Sequence, residues 1–397
     1  MLGRRFGWLW SAYAVSSLGT YLAFDAFPLV AILVLHVGPG AVSALAAVGT
    51  AVGAVIAVPL GPWIEFRRKR PVMVGMDLVR FAAVLSVPLA YVLGILTFAQ
   101  LLVVAVVVAA SDIAFRSASG AYLKTLVAPS DLLVANSRFE STLWTTTMLG
   151  PPLGGGLIGV FGPMTTIVAN AVSFALSALG LRAIGGTEPQ PVRTAPPRLP
   201  DLLDGWRFIL GHPSLRRLFV NTALVNGLIM ASAPLMAVLM LGELGFTPLQ
   251  YGLAFGLPCA GGLIGSRLSR PLAARLGRDK ILRRFGALRA CWPIGLAFIH
   301  PGVTGLLLVI VVELVLITCI GIFNPVYATY RLELTPADRV ARMLTAWTVT
   351  TTASIATITA LWGLLASLTT PRIAIAAAGV LLLATPLLLP RRALVLT

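Results

Sequence analysis

Two acids stand in runs that carry no other charge. Asp25 lies in "YLAFDAFPLV" (21–30) and Glu313 in "LVIVVELVLI" (308–317). An ionised carboxylate in such a run is costly and rarely accidental. The chemistry open to it is reversible: it takes up a proton or a cation on one side and gives it up on the other. A second set of charges is spaced for pairing. Asp112 precedes Arg116 by four residues in "DIAFRSASG" (112–120), so the two share a helical face. Asp77 and Arg80 in "MDLVR" (76–80) are similar in kind. A third set is the stretch "GPWIEFRRKRP" (61–71), where Glu65 is followed by Arg67, Arg68, Lys69 and Arg70. Other chemistries find no residues. Cys259, Cys291 and Cys319 have no CxxC spacing, and His36, His212 and His300 have no ligand neighbours, so neither a metal nor a disulfide is expected. There is no G-x-x-x-x-G-K-[ST] loop for ATP, and no His/Asp or Ser/Lys constellation for an enzyme in the membrane. No cofactor is expected.

The elements that carry these residues are apolar. The 397-residue chain is 58% hydrophobic and 11% charged, and its mean hydropathy is +0.92. Runs of about 20 apolar residues recur, the length that crosses a bilayer core. They do not alternate in polarity, which argues against a transmembrane barrel. The expectation is an all-α integral membrane protein with twelve spans: 8–35, 41–64, 72–94, 97–121, 134–161, 163–184, 215–241, 249–275, 281–299, 303–329, 340–367 and 371–389. The net charge of +16 would suggest nucleic acid in a soluble protein, but here basic residues collect in alternate connections. Loops on one side hold Arg67–Arg70, Lys124, Arg275, Arg278, Lys280, Arg283, Arg284, Arg339 and Arg342, and the other side holds Arg372. By the positive-inside rule both termini face the cytoplasm. No nucleic-acid partner is expected.

Residues 185–214 are too polar to span. "GGTEPQPVRTAPPRLP" reads as a linker, and "DLLDGWRFILGHPSLRR" as a short amphipathic helix lying on the inner membrane surface, with Asp201 as its N-cap. The chain thus divides into 1–184, a linker of 185–214, and 215–397. The halves echo each other at an offset close to 205 residues: Gly61 and its basic loop with Gly265 and "ARLGRDK", "APSD" with "TPAD", "LWTTT" with "AWTVTTT". Six spans repeated in one orientation mark a two-half transporter with its site near the repeat interface.

Three motifs carry a resemblance over essentially the whole chain. Gly61-Pro62-Trp63-Ile64-Glu65-Phe66-Arg67-Arg68-Lys69-Arg70 is similar to the G-x-L-x-D-R-x-x-R-R loop of the major facilitator superfamily. Arg116 and Gly120 match the family's R-x-x-x-G. Gly150-Pro151-x-x-Gly154-Gly155 in "LGPPLGGGLIG" (149–159) is similar to the core of its antiporter motif. Within the family the chain resembles the drug, macrolide and enterobactin exporters, as do "GIFNPV" (321–326) and "TPADRVAR" (335–342). The resemblance implies that Glu65 stands for the loop's aspartate, capping the eleventh span and latching the inner side. Phe66 replaces an arginine there, and Arg67 stands in for that charge, with Lys69 and Arg70 alongside. Asp77 and Arg80 are read as gating charges, Arg116 as a proton-coupling group, and Gly150, Pro151, Gly154 and Gly155 as a hinge and seal. Topology alone would also explain the basic loop, and Asp112–Arg116 can equally be a structural pair. For Glu313 three roles stay open: coupling, substrate binding, or pairing with Arg289.

The implied function is proton-coupled export of a hydrophobic or amphipathic small molecule, such as an antibiotic, siderophore or secondary metabolite. A monomer in a bacterial inner membrane is expected. An importer of a metabolite and a non-transporting receptor on the same fold are the alternatives.

Overall fold

The computed structural model describes residues 2–23, 26–37, 45, 48, 51–186, 188 and 203–390. Among them the chain is helical throughout, with no strand. The first half contains α1 (Arg4–Leu22), α2 (Ala26–Leu33), a helical stretch at 51–57, α3 (Leu60–Glu65), α4 (Lys69–Val92), α5 (Phe98–Leu126), α6 (Leu132–Phe161) and α7 (Pro163–Arg182). Then come α8 (Asp204–Gly211), α9 (Pro213–Ala237), α10 (Pro248–Gly256), α11 (Cys259–Leu276), α12 (Arg278–Cys291), α13 (Val303–Glu333), α14 (Val340–Leu368) and α15 (Pro371–Ala384). Seven helices among the described residues are long and apolar enough to cross a membrane.

Capping and proline chemistry set these boundaries. Thr97, Thr247 and Thr370 accept N–H bonds at the starts of α5, α10 and α15. α7, α9, α10 and α15 open on proline, whose missing N–H is no loss there. Gly162 and Gly277, with φ of 82° and 83°, let α6 turn into α7 and α11 into α12 through one residue. Several expected spans are interrupted. The first breaks after α1, the second at Val58-Pro59, the eighth at Leu257-Pro258, and the ninth ends in a 3₁₀ turn at Pro293–Phe298. Proline accounts for the last three, because it cannot donate to the preceding turn. The amphipathic helix begins at Asp204; Asp201 lies outside the described residues.

The chain forms two compact units. One comprises residues 1–135, 146–208 and 335–349. Within it α4 packs on α5 and α7, and α7 on α1. Val30, Val84, Val87, Leu101, Val104, Ile167 and Phe174 share its core. The other comprises residues 136–145, 209–334 and 350–397. Here α13 packs on α11 and α12, and α9 on α15, around Leu235, Met240, Leu296, Val309 and Ile375. Large apolar side chains such as Val92, Val160, Leu368 and Leu387 are exposed, as a lipid-facing surface requires. α6 gives its middle stretch, 136–145, to the second unit and both its ends to the first, and α14 divides after Val349; this division positions the residues described next.

Candidate functional site

In the first unit four charges form a chain that alternates in sign. Arg80 pairs with Asp77 one turn back. Its other nitrogen reaches Asp112 Oδ1 at 3.3 Å, and Asp112 Oδ2 accepts from Arg116 Nε at 2.6 Å. Ser177 Oγ donates to Asp77 Oδ2 at 2.7 Å. The Arg80 guanidinium sits 4.6 Å from the centre of the Phe115 ring and 4.5 Å from that of Phe174. Asp77 and Arg80 are buried, whereas Arg116 is 54% exposed. One end of the chain is therefore locked by packing, and the Asp112–Arg116 end is partly exposed. Two acids balance two cations, so the buried end carries no uncompensated charge.

The same unit holds the basic loop against the start of α14. Glu65, just past the second span, is 4% exposed. Its Oε2 accepts from the backbone N–H groups of Ala341 at 3.0 Å and Arg342 at 3.3 Å. A helix N-terminus has unpaired N–H groups and a partial positive charge, so a carboxylate there is a natural cap. Burial pushes the Glu65 carboxyl up to about 7, against the pull of Lys69, Arg342 and these donors. Lys69 Nζ caps the other way: it donates to the carbonyls of Ile64, Glu65 and Arg67. The N–H groups of Lys69 and Arg70 are taken by Glu188 of the linker at 2.5 and 3.0 Å. Arg67 stacks on Trp63 at 4.7 Å. Arg342 lies 5.5 Å from the Phe66 ring and pairs with Asp204 at 2.9 Å. Small residues allow this closeness. A methyl on Gly61 would meet Thr345 at 3.1 Å, and one on Gly120 would meet Leu344 at 2.4 Å. Ser117 and Thr345 share a buried hydrogen bond of 2.9 Å.

The glycines of α6 seat against α1. A methyl on Gly150 would lie 2.4 Å from Tyr21 Cβ, and one on Gly154 would lie 2.1 Å from the Leu22 carbonyl oxygen. Gly155 faces open space, and Pro151 and Pro152 lie within the helix. Asp25, which follows this contact in sequence, lies outside the described residues. In the second unit Glu313 is buried on α13 with Cys259 in electrostatic reach. Arg289 is not its partner among the described residues. The Arg289 guanidinium instead donates to Asn221 Oδ1 at 2.7 Å and lies 3.8 Å from the Phe323 ring centre.

Sequence reasoning missed Glu140. An acid near the start of the fifth span reads plainly as a partner for the inner loops. Instead its Oε1 accepts from Trp144 Nε1 and from Asn324 Nδ2, each at 2.9 Å. The E-x-x-x-W spacing signals the first bond. The second joins residues 184 apart, and no local pattern announces it. The sequence places Lys69 in the latch loop and Glu188 in the linker, but the capping role of each depends on where helix ends meet.

The amino-acid sequence matches the Major Facilitator Superfamily over residues 9–330. It is 27% identical over 279 residues to the multidrug efflux pump Tap of Mycobacterium tuberculosis and of Mycobacterium bovis, covering 67% of this chain and 64% of the relatives' length. The fold is similar to the crystal structure of a bacterial homologue of the iron transporter ferroportin in an outward-facing state: the TM-score is 0.80 at 18% identity, over 97% of this chain and 99% of that one. It is similar also to the human organic anion transporter MFSD10, with a TM-score of 0.76 at 14% identity and coverage of 97% and 99%. A match over most of the chain, on an all-helical fold whose loop and glycine motifs close on neighbouring helices, has one reading: the chain belongs to the Major Facilitator Superfamily.

Proposed function

We propose that this transporter exports a hydrophobic or amphipathic small molecule, an antibiotic, siderophore or secondary metabolite, in exchange for protons. It does so as a monomer with twelve spans and both termini in the cytoplasm of a bacterial inner membrane. Residues 1–184 rock against 215–397, with 185–214 as linker, and each cycle exposes the substrate to one side at a time. The observation that carries the reading is the seating of Gly150 and Gly154 on Tyr21 and Leu22. It packs the antiporter-type stretch of α6 onto the helix that leads to Asp25. The similarity to a multidrug efflux pump supports the outward direction.

The residues divide the work. Asp25 and Glu313 are the acids that load a proton, and the exposed Asp112–Arg116 pair passes charge to the first unit. Gly61, Glu65, Arg67, Lys69 and Arg70 form the inner latch, with Asp77 and Arg80 as its rigid base. Gly150, Pro151, Gly154 and Gly155 form the flexible seal. One charge moved through 100 mV supplies about 2.3 kcal/mol, enough to drive useful accumulation.

The test uses inside-out vesicles with an acidic interior and a panel of fluorescent dyes and antibiotics. Uptake that collapses with the gradient, and that is lost in Asp25→Asn or Glu313→Gln, is the expected result. Uptake that ignores the gradient removes proton coupling, and accumulation in the opposite sense makes the protein an importer.

A further inference from the structure

In the second unit, the stretch 136–145 of α6 meets α11 and α13 along a row of side-chain hydrogen bonds. Asn136 Nδ2 donates to Thr329 Oγ1 at 2.9 Å. Ser137 and Ser269 share a bond of 2.8 Å, and Ser141 and Ser266 one of 2.7 Å. Trp144 lies flat on Gly262, where a methyl group would stand 2.1 Å from the ring. Every member of this seam is neutral except Glu140. Its carboxylate sits eight residues into α6, about 12 Å along the helix axis. Trp144 and Asn324 both donate to Oε1, leaving Oε2 without a partner among the described residues.

Among the described residues no cation pairs with it. The charged groups on the elements packed here are Arg138 on α6, Arg267, Arg270 and Arg275 on α11, and Glu313, Arg331 and Glu333 on α13. None of the arginines forms an ion pair with Glu140 among the described residues. Arg267 and Arg270 are exposed, Arg331 donates to the Tyr327 hydroxyl, and Glu333 is taken by Arg278 at 2.5 Å. A lone carboxylate held by two neutral donors at membrane depth is costly when ionised and inexpensive when protonated. Asn324 belongs to "GIFNPV", a motif that the reading above leaves without a task. Its side chain fixes the carboxyl to α13.

We propose that Glu140 is a proton-binding residue of the transport cycle: its Oε2 holds a proton while the seam is closed and releases it to cytoplasmic water when the 136–145 stretch parts from α11 and α13. This rests on the alternating-access reading, and it adds an acid that neither the loop motif nor the antiporter motif contains. Glu140 is half-buried, and the sign follows from the neutral seam around it, which offers the carboxylate no cation. Closing the seam favours the protonated form, so rising pH favours opening.

The test needs no substrate. Ser137→Cys is placed in a chain whose native cysteines are replaced by serine. Its labelling by an impermeant maleimide is followed in inside-out vesicles from pH 5.5 to 8.5, against Ser130→Cys, which is exposed, as reference. One linked proton changes the open fraction by up to about tenfold per pH unit. The reference-corrected rate is expected to climb with pH, and the climb to flatten in Glu140→Gln, which keeps the acceptor for Trp144 and Asn324. Asn324→Asp sets a second acid beside Glu140 and is expected to move the rise to higher pH by about one unit. The same pH response in Glu140→Gln as in the parent, or no movement in Asn324→Asp, overturns the proposal. Dye accumulation in the opposite sense would remove the export reading and leave this labelling result standing.

Discussion

The Glu65 latch sets two forces against each other, and Glu65→Gln reads which one wins. A carboxylate at a helix N-terminus is favourable by about 0.3–1 kcal/mol, and a hydrogen bond to a charged group by about 1.5–3 kcal/mol. On that account glutamine loosens the latch. Burial works the other way. It pushes the carboxyl from 4.5 to about 7 although both N–H bonds, Lys69 and Arg342 pull it down. At about 1.4 kcal/mol per unit, ionisation of Glu65 weakens closure by about 3.5 kcal/mol. For a raised acid this loss begins as pH rises through the ordinary value near 4.5 and is complete above about 7. Glutamine imitates the protonated form at every pH. Glu65→Gln should therefore hold the start of α14 more tightly than the parent at pH 8, on the order of a hundredfold, and converge with it to within about fivefold at pH 5. The assay is maleimide labelling of Ser117→Cys, buried at the bond to Thr345, in inside-out vesicles. Faster labelling in Glu65→Gln at pH 8 would refute the argument that desolvation outweighs the cap.

Other outcomes follow from the same geometry. Gly154→Ala drives a methyl into the Leu22 carbonyl, a backbone atom that cannot yield, and should cost about 1–3 kcal/mol. Gly155→Ala meets nothing and should be neutral or stabilising by up to about 1 kcal/mol. Thermal unfolding in detergent separates the two. Arg116→Gln removes an exposed pair with Asp112, worth about 1 kcal/mol or less to stability. It should leave the unfolding midpoint nearly unchanged while reducing gradient-driven dye uptake at least about tenfold. A large loss of stability with normal uptake would make Arg116 structural.

How much of this was legible in sequence depends on range. Helix type is local, and it reads directly. The Asp112–Arg116 and Asp77–Arg80 pairs follow from spacing along one helix. The link between them, Arg80 to Asp112, required α4 to lie on α5 and was not legible. The Glu65 cap came by resemblance, since nothing in "WIEFRR" names Ala341 as its partner. Its companions were out of reach because they are ends of helices brought together by packing: Lys69 on three carbonyls, Glu188 on two N–H groups. Glu140 was legible as an acid, but its pairing with Asn324 depends on where one stretch of α6 settles.

The two arginines that stand on phenylalanine rings carry the last lesson. Arg80 over Phe115 and Arg289 over Phe323 stand 209 and 208 residues apart, close to the offset at which the sequence echoes itself, so the packing device is repeated. The charge balance is not. Arg80 has Asp77 and Asp112, whereas Arg289 has the neutral Asn221 and, among the described residues, no acid. Arg80→Met leaves Asp77 as a buried charge without its cation, which costs about 3–5 kcal/mol. Arg289→Met removes a buried cation along with the cost of desolvating it. What remains is the unpaired Oδ1 of Asn221, at about 1–3 kcal/mol, partly or wholly offset by the apolar replacement. Thermal unfolding of the two variants should differ by about 2 kcal/mol or more, with Arg80→Met the weaker. Equal damage would mean that Arg289 has a counter-charge when the protein is in its membrane. Ring stacking and hydrogen bonding would then be insufficient to hold a guanidinium there.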